Sequence, residues 1–386
     1  MPEIYRGDLY GLRKHKYGDL GTTGVTDTEW AEVEPTSPFY LFAEVDTAAA
    51  EEYKEHIQIT SILGTGDRRS DSGKYWSTGL ITARDSFVID FNNDALAKRI
   101  LRLINPDKEK QVIDRYKLKD TREIPLKESL ETLRGMENPL DNIKELLYRP
   151  FDKRFIFYDQ ALVRWPVYNI MRHLLARENL AFITVRQVAE GVFNHAYVAD
   201  SLVESRITLS NKGIAYIFPY YLYPGSGTLD DKESGNRSPN IEPGFASDFL
   251  AAVGAQTLEN SPEVGQRSGS REILYAEDIF YYIYGVLHSP TYRERYAEFL
   301  KLDFPRIPIP VDYESFDRLA AAGQRLAELH LLKDKDRWGW QGIEQRGDAK
   351  EAVVGKVEYD EKNEEIIFDA KKPPDEQYRL GPVPVH

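Results

Sequence analysis

The 386 residues carry 50 Lys and Arg against 63 Asp and Glu, a formal charge of −13, with 41% apolar side chains and no cysteine. Zero cysteine excludes disulfide frameworks, thiolate metal sites and thiol nucleophiles. No apolar run approaches the ~18 residues of a membrane span, and the polar start Met1-Pro2-Glu3-Ile4 has no apolar signal region, so a soluble, cytoplasmic protein is expected.

Residues 1–40 are polar and punctuated by Gly7, Gly11, Gly18, Gly21, Gly24, Pro35 and Pro38, and they carry the basic run Arg13-Lys14-His15-Lys16. This composition predicts an extended N-terminal linking segment that wraps a neighbour, with no core of its own. A helix is expected over Thr47–Glu55, and Gly64 to Gly79 reads as a polar, glycine-rich loop. From Asp85 to Phe91 apolar and polar residues alternate at strand period. Leu96, Ile100, Leu101 and Ile104 recur at helical spacing, with Pro106 expected to close that helix. The span 107–148 is charged and mostly helical in character.

Strand signals strengthen at Arg154–Tyr158, Leu180–Val185 and Ile214–Tyr223, with a helix expected at Val167–Ala176. Residues 224–271 are loop-rich, with one short helix at Ala246–Val253. Helical patterns follow at Ala276–Leu287, Tyr292–Leu300 and Phe316–Leu332. Between the last two, Phe304-Pro-Arg-Ile-Pro-Ile-Pro must be extended, since each proline restricts itself and its predecessor. A strand pair is expected at Ala352–Tyr359 and Glu365–Asp369, turning at Asp360 to Asn363. Helices and strands interleave without a regular βαβ rhythm, so the expected class is α+β, a mixed sheet with interleaved helices. Three regions are expected: a linking segment over 1–75, a main domain over 76–345, and an acidic tail over 346–386 with ten acids against seven bases.

The chain presents no catalytic constellation. Gly66 to Lys74 lacks the spacing and the Ser or Thr of a phosphate loop. Asn138-Pro-Leu-Asp lacks the second proline and the aromatic of an amino-methyltransferase motif. There is no His-Glu-x-x-His and no Gly-x-Ser-x-Gly, the histidines are scattered, and no metal site is expected. What the sequence does offer is hydrogen-bond donors. From Arg149 to Arg186, seven basic residues stand against three acids, so the acidic average conceals a basic middle. Arg and Asn pair with base edges, whereas Arg, Lys and Ser take phosphates. The candidate DNA-binding residues are Arg154, Arg164, Arg172, Arg186, Gln187, Asn194, Ser210, Asn211 and Lys212, with Arg237 and Asn240 in the long loop. They are expected to project together as one surface. The interleaved aromatics Phe155, Phe157, Tyr158, Trp165 and Tyr168 read as core and sheet packing.

Several strings resemble a known family: Gly79-Leu-Ile-Thr-Ala-Arg-Asp-Ser-Phe, Tyr148-Arg-Pro-Phe-Asp-Lys-Arg-Phe-Ile-Phe-Tyr, Phe218-Pro-Tyr-Tyr-Leu-Tyr, and Tyr284 through Pro308 followed by Leu326-Ala-Glu-Leu-His-Leu-Leu. From about Tyr5 to about Gly342 they resemble the C-terminal specificity region of Type ISP restriction-modification enzymes. The resemblance implies a target-recognition-domain-like fold and sequence-specific binding of double-stranded DNA. It also implies a target adenine positioned for a neighbouring methyltransferase, which flips the base out. The partners it implies are duplex DNA and the methyltransferase and motor domains of the same enzyme, with no membrane. S-adenosylmethionine is expected only in an upstream methyltransferase domain and no cofactor in this chain. The family's catalytic Asn-Pro-Pro-Tyr motif is missing, so methylation, translocation and cleavage do not carry over. Arg149, Asp152, Arg154, Arg293, Tyr296, Pro305 and Arg306 match recurrent motifs and are read as scaffold. Base readers are expected in 162–186, 193–212 and 225–240. The alternatives are a fragment of an adenine-N6 methyltransferase or restriction enzyme, active only with its upstream part, and a protein-interaction module.

Overall fold

The computed structural model describes residues 3–35, 40–42, 46–64, 75–175, 178–188, 191–208, 213–223, 237–333, 343–346, 358–360, 362–363, 365–368 and 378–382. Two compact units divide the chain, Met1–Leu331 and Leu332–His386. Helices and small sheets alternate along it, as an α+β fold requires.

The first unit is organised by an antiparallel sheet with the strand order Ser77–Thr78, Ala215–Pro219, Ala181–Val185, Ala196–Ala199. All five residues of the Ala181–Val185 strand are buried, because the sheet is covered on both faces. Successive side chains of a strand point to opposite faces. Phe182, Phe218, Ala196 and Val198 accordingly enter one core, while Ala181, Ile183, Ala215, Ile217 and Ala199 enter the other. One run of residues therefore feeds two cores, which is why it reads as continuously apolar.

The first core is aromatic. Its centre is the helix Ala276–His288, in which every residue from Ala276 to Leu287 is buried. This helix crosses Tyr313–His330 at such close range that a Cβ on Gly285 or Gly323 would overlap the carbonyl of Leu319 or Tyr281. Only glycine permits that approach. The second core lies under the helices Asn93–Ile104, Pro106–Tyr116 and Leu126–Gly135 and a second four-stranded sheet. That sheet runs Leu202–Val203, Ile143–Arg149, Asp152–Phe157, Ile89–Asp90.

Several expectations are corrected. Asp85–Val88 is a helical turn before the strand Ile89–Asp90, because the Thr82 hydroxyl bonds both Asp85 and the Arg84 N–H and bends the chain. Pro106 opens a helix. Asn105 ends the preceding one, and its side chain accepts from the Asp107 N–H with Pro106 in the first turn, the position proline favours. Ile143–Arg149 is a strand paired to Asp152–Phe157, where the span 107–148 was expected to be mostly helical. The helix expected to reach Leu300 stops at Arg295 and resumes as a 3-10 turn at Phe299–Lys301, with Tyr292, Tyr296, Phe299 and Leu300 buried. Residues 47–63, grouped with the linking segment, belong to the first core. Tyr53, Ile59 and Ile62 are buried, and Ile57–Gln58 pairs with the proline-bounded strand Arg306–Ile307. Nearer the N-terminus, the helix Arg13–Thr22 buries no residue, and Tyr5–Arg6 pairs with Ala31–Glu32.

In the second unit four strands pair in the order Ile343–Arg346, Tyr378–Pro382, Glu365–Phe368, Glu358–Asp360. The Asp360 carboxylate accepts from the Lys362 and Asn363 N–H groups and so forms the turn between the last two. Residues 352–357 of the expected strand lie outside the described residues.

Candidate nucleic-acid interface

The central sheet has two ends, and the candidate residues divide between them. At one end Val185 pairs with Ala215 and Thr184 with Ala196. Arg186 and Gln187 leave the sheet there, Asn194 enters it, and residues 208 and 213 bracket the connection that carries Ser210, Asn211 and Lys212. Those three lie outside the described residues. At the opposite end Ala181 pairs with Ala199 and Pro219, and the neighbouring chain holds Arg172, Arg237 and Asn240. Arg154 sits on the second sheet, and the Arg164 N–H bonds the Thr82 carbonyl at the sheet margin. Among the described residues, the candidates do not gather at one end of the sheet.

At the Arg186 end the donors face outward. Arg186 bonds Asp303 at 2.8 Å, and the two side chains are 57% and 42% exposed. A pair so wetted contributes little to stability and exchanges readily for another anion. Gln187 and Asn194 are exposed, and the Asn194 side-chain oxygen Oδ1 accepts from Arg293 at 3.1 Å. Arg293 also donates to His288 Nδ1 (3.1 Å), leaving His288 Nε2 to face the Ala196 carbonyl at 3.2 Å. Burial, and then the neighbouring Arg293, pushes the His288 pKa down to about 4, so the imidazole is neutral and serves as a strut.

The second sheet reaches the same end. Ala215 N–H donates to Ser205, and Ser205 N–H donates to Leu80. Gly79 packs on the Ser205 backbone, with no room for a side chain. Here the recurrent Tyr148-Arg-Pro-Phe-Asp-Lys-Arg string forms a ladder of internal contacts. Arg154 bonds Asp152 through two nitrogens (3.0 and 2.6 Å), with its guanidinium 4.1 Å from the centres of both the Phe91 and Tyr148 rings. Arg149 pairs with Glu204 at 2.7 Å, and Glu204 is 5% exposed. Burial raises the Glu204 pKa against the opposing pull of Arg149 and of the Arg206 N–H. Arg154 is thus committed to the scaffold, which corrects its placement among the DNA contacts. Sequence reasoning overlooked Phe151 at the tip of this hairpin. It has φ +63° and is 52% exposed, with its ring edge-on to His330 at 5.6 Å.

At the other end the polar groups turn inward. Asn240 is fully buried. Its oxygen accepts from Gly64 N–H (3.0 Å), and its nitrogen donates to the Tyr75 and Pro219 carbonyls (3.1 and 2.9 Å). Asn179 mirrors it, donating to the His173 and Tyr221 carbonyls at 2.8 Å each and accepting from the Leu180 and Tyr221 N–H groups. His173 Nδ1 accepts from Tyr223 N–H (3.1 Å), and burial pushes its pKa down to about 3. These groups fix Gly64, Tyr75 and Tyr223, which flank residues 65–74 and 224–236. Asn240 is therefore a clamp with no face to offer a duplex, and its placement among the contacts is corrected too. Arg172 donates to the Tyr223 carbonyl at 3.2 Å, and Arg237 lies 4.2 Å over the Tyr221 ring and donates to the Ser261 carbonyl. Arg164 bonds Glu123 at 2.9 Å beside the exposed Trp165.

Among the described residues no group of three or more His, Asp or Glu is placed to hold a metal ion. A second basic stretch went unnoticed. Residues 93–119 hold eight bases (Lys98, Arg99, Arg102, Lys108, Lys110, Arg115, Lys117, Lys119) against four acids (Asp94, Asp107, Glu109, Asp114), and a local charge count would have found it.

The family model described as the Type ISP C-terminal specificity domain matches residues 74–384. The comparison with curated proteins finds no match. Among solved structures, a cryo-EM DrdV–DNA complex is similar at 22% identity with a TM-score of 0.63, covering 96% of this chain and 35% of that one. A nuclease-deletion mutant of the Type ISP restriction-modification enzyme LlaGI, in complex with a DNA substrate mimic, gives 20% identity and a TM-score of 0.57 over 97% and 27%. The ATP-dependent Type ISP enzyme LlaBIII bound to DNA gives 19% and 0.57 over 92% and 21%. The chain thus spans about a third or less of the length of these structures.

Proposed function

The chain belongs to the Type ISP C-terminal specificity domain family, and from that membership we propose that it recognises a sequence in duplex DNA and so positions a target adenine for a methyltransferase carried elsewhere. S-adenosylmethionine would be held by that methyltransferase. The observation that carries the siting of the contact is the contrast in how the candidate donors are satisfied. At the Arg186 end they are exposed, and Arg186 is paired with an exposed carboxylate, whereas Arg154 and Asn240 are spent inside the fold. Arg186, Gln187 and Asn194 are therefore the described residues offered to the duplex, with Ser210, Asn211 and Lys212 on the adjoining connection. Arg164, Arg172 and Arg237 keep partial exposure and are assigned to flanking phosphates. Phosphate contacts set register and base-edge contacts set sequence.

Selection of bound duplexes from a randomised pool at moderate salt tests this reading. A defined preferred sequence is expected, with each wrong base pair costing about 1–3 kcal/mol. A pool that emerges unenriched overturns it. The log of the affinity should fall with the log of salt at roughly −0.9 per phosphate contacted.

A further inference from the structure

The helices Asn93–Ile104 and Pro106–Tyr116 lie side by side, joined at Asn105. Their inner faces, Leu96, Ile100, Leu103 and Val112, enter the second core. Along the outer side a cleft of about 580 Å3 opens between them, lined by Lys98, Arg99, Arg102, Gln111, Arg115 and Tyr116, with Leu101 at its margin and no carboxylate among its lining. Arg99 is a wall of this cleft, since it pairs with Asp90 and bonds the Phe87 carbonyl at 2.8 Å. The Tyr116 ring lies 5.0 Å from the Arg99 guanidinium and 5.6 Å from that of Arg115. Lys98, Arg102 and Arg115 are exposed, and among the described residues none of them is in an ion pair. In a chain of net charge −13, cations gathered around a cleft without acids repel one another unless an anion sits between them.

We propose that this cleft holds phosphodiester backbone of the bound duplex outside the recognised base pairs. The inference rests on the reading that the chain binds DNA, and it names a separate contact. The Lys, Arg and Gln donors around the cleft suit phosphate oxygens. The lining also includes Ala95, Leu101, Val112 and the Tyr116 ring, and the cations Lys98, Arg102 and Arg115 around them favour an anionic occupant over the uncharged anchor of a protein partner. The placement also fits. The helix begins just past Phe91, whose ring covers Arg154 on the sheet that meets the Arg186 end. Ile89–Asp90 is the edge opposite Leu202–Val203, roughly 14 Å away at ~4.8 Å per strand, and at 1.5 Å per residue Lys98 and Arg102 lie roughly 9 and 15 Å beyond Asn92, so the cleft is a contact separate from the Arg186 end.

The test compares the intact chain with K98Q/R102Q/R115Q and with K108Q/K110Q/K127Q, which removes equal charge from exposed positions outside the cleft. Binding to a preferred and to an unrelated duplex is measured across salt, with circular dichroism and thermal unfolding as the fold check. The cleft variant is expected to lose about tenfold or more on both duplexes at low salt. Its salt dependence should become shallower by about 2 to 3, as three lost phosphate contacts require. The ratio between the duplexes should stay as in the parent, and the control variant should change far less. An unchanged salt slope in a folded cleft variant overturns the proposal, and so does an equal loss in the control. A parent chain that binds all duplexes alike, with the cleft variant still weakened, keeps the cleft and removes the recognition reading. A parent that binds no duplex, with the cleft variant altering only capture of an acidic protein, removes both.

Discussion

The two ends of the central sheet use the same residue types for opposite purposes. At one end Asn240, Asn179 and His173 are buried, and their partners are backbone atoms that cannot leave. At the other, Arg186 and Asn194 are exposed, and their partners are an exposed carboxylate and an arginine. An amide facing N–H and C=O groups in a dry site is part of the fold, since removing it strands several polar groups at once. An arginine facing a wet carboxylate is poised to change partners. Burial and the identity of the partner decide which residue holds the chain and which is free to hold something else.

The largest expected effect is at the buried end, in acid. The folded-state pKa of His173 is depressed to about 3, below the ~6.5 of an unfolded chain. Its contribution to stability is therefore complete above about pH 6.5 and is lost as pH falls toward 3. Urea unfolding measured across that window should lose several kcal/mol of stability, and His173→Gln should flatten the dependence. Parallel pH profiles for parent and variant would show that His173 is not buried neutral. Next in size is Asn240→Ala, which leaves Gly64 N–H and the Tyr75 and Pro219 carbonyls without their partner. At about 1–3 kcal/mol per stranded buried group, a loss of about 3 kcal/mol or more is expected in the free energy of urea unfolding. The surviving folded fraction should bind duplex as before, and a selective loss of DNA affinity would return Asn240 to the interface.

Much of the fold was legible because the signals were local. The helix Thr47–Glu55 has its Asp46 cap, and the prolines around Arg306–Ile307 forbid a helix. The misread elements depend on distant partners. Ile143–Arg149 carries charges that suit a helix face, and pairing with Asp152–Phe157 makes it a strand. The site was legible as a menu of donors only. Asn240 meets Gly64 across 176 residues of chain, and Arg186 meets Asp303 across 117. No periodicity in the sequence announces such contacts, so composition could name the donors without saying which were already spent.

Smaller effects are expected at the exposed end. Arg186→Ala should leave the unfolding midpoint unchanged and weaken the preferred duplex by about tenfold, as loss of a single base or phosphate contact implies. Lys127→Ala, at an exposed position on the helix Leu126–Gly135, is the reference. Equal behaviour of the two variants would move the contact away from this end of the sheet.

The smallest effect has the opposite sign. Asp303 accepts from Arg186 and also from Gln58, at 3.1 Å. In Asp303→Asn the charge that competes with phosphate is removed, while the single amide oxygen can still accept from Arg186 and the bond from Gln58 to the other oxygen is given up. If Arg186 exchanges its carboxylate for DNA, the variant binds duplex a few-fold more tightly at low salt, and the gain fades as screening shortens the reach of the charge. If Arg186 is held as firmly as Arg154 is by Asp152, the same substitution costs stability and gains no affinity. The direction of this one change therefore separates an arginine lent to the scaffold from one given to it.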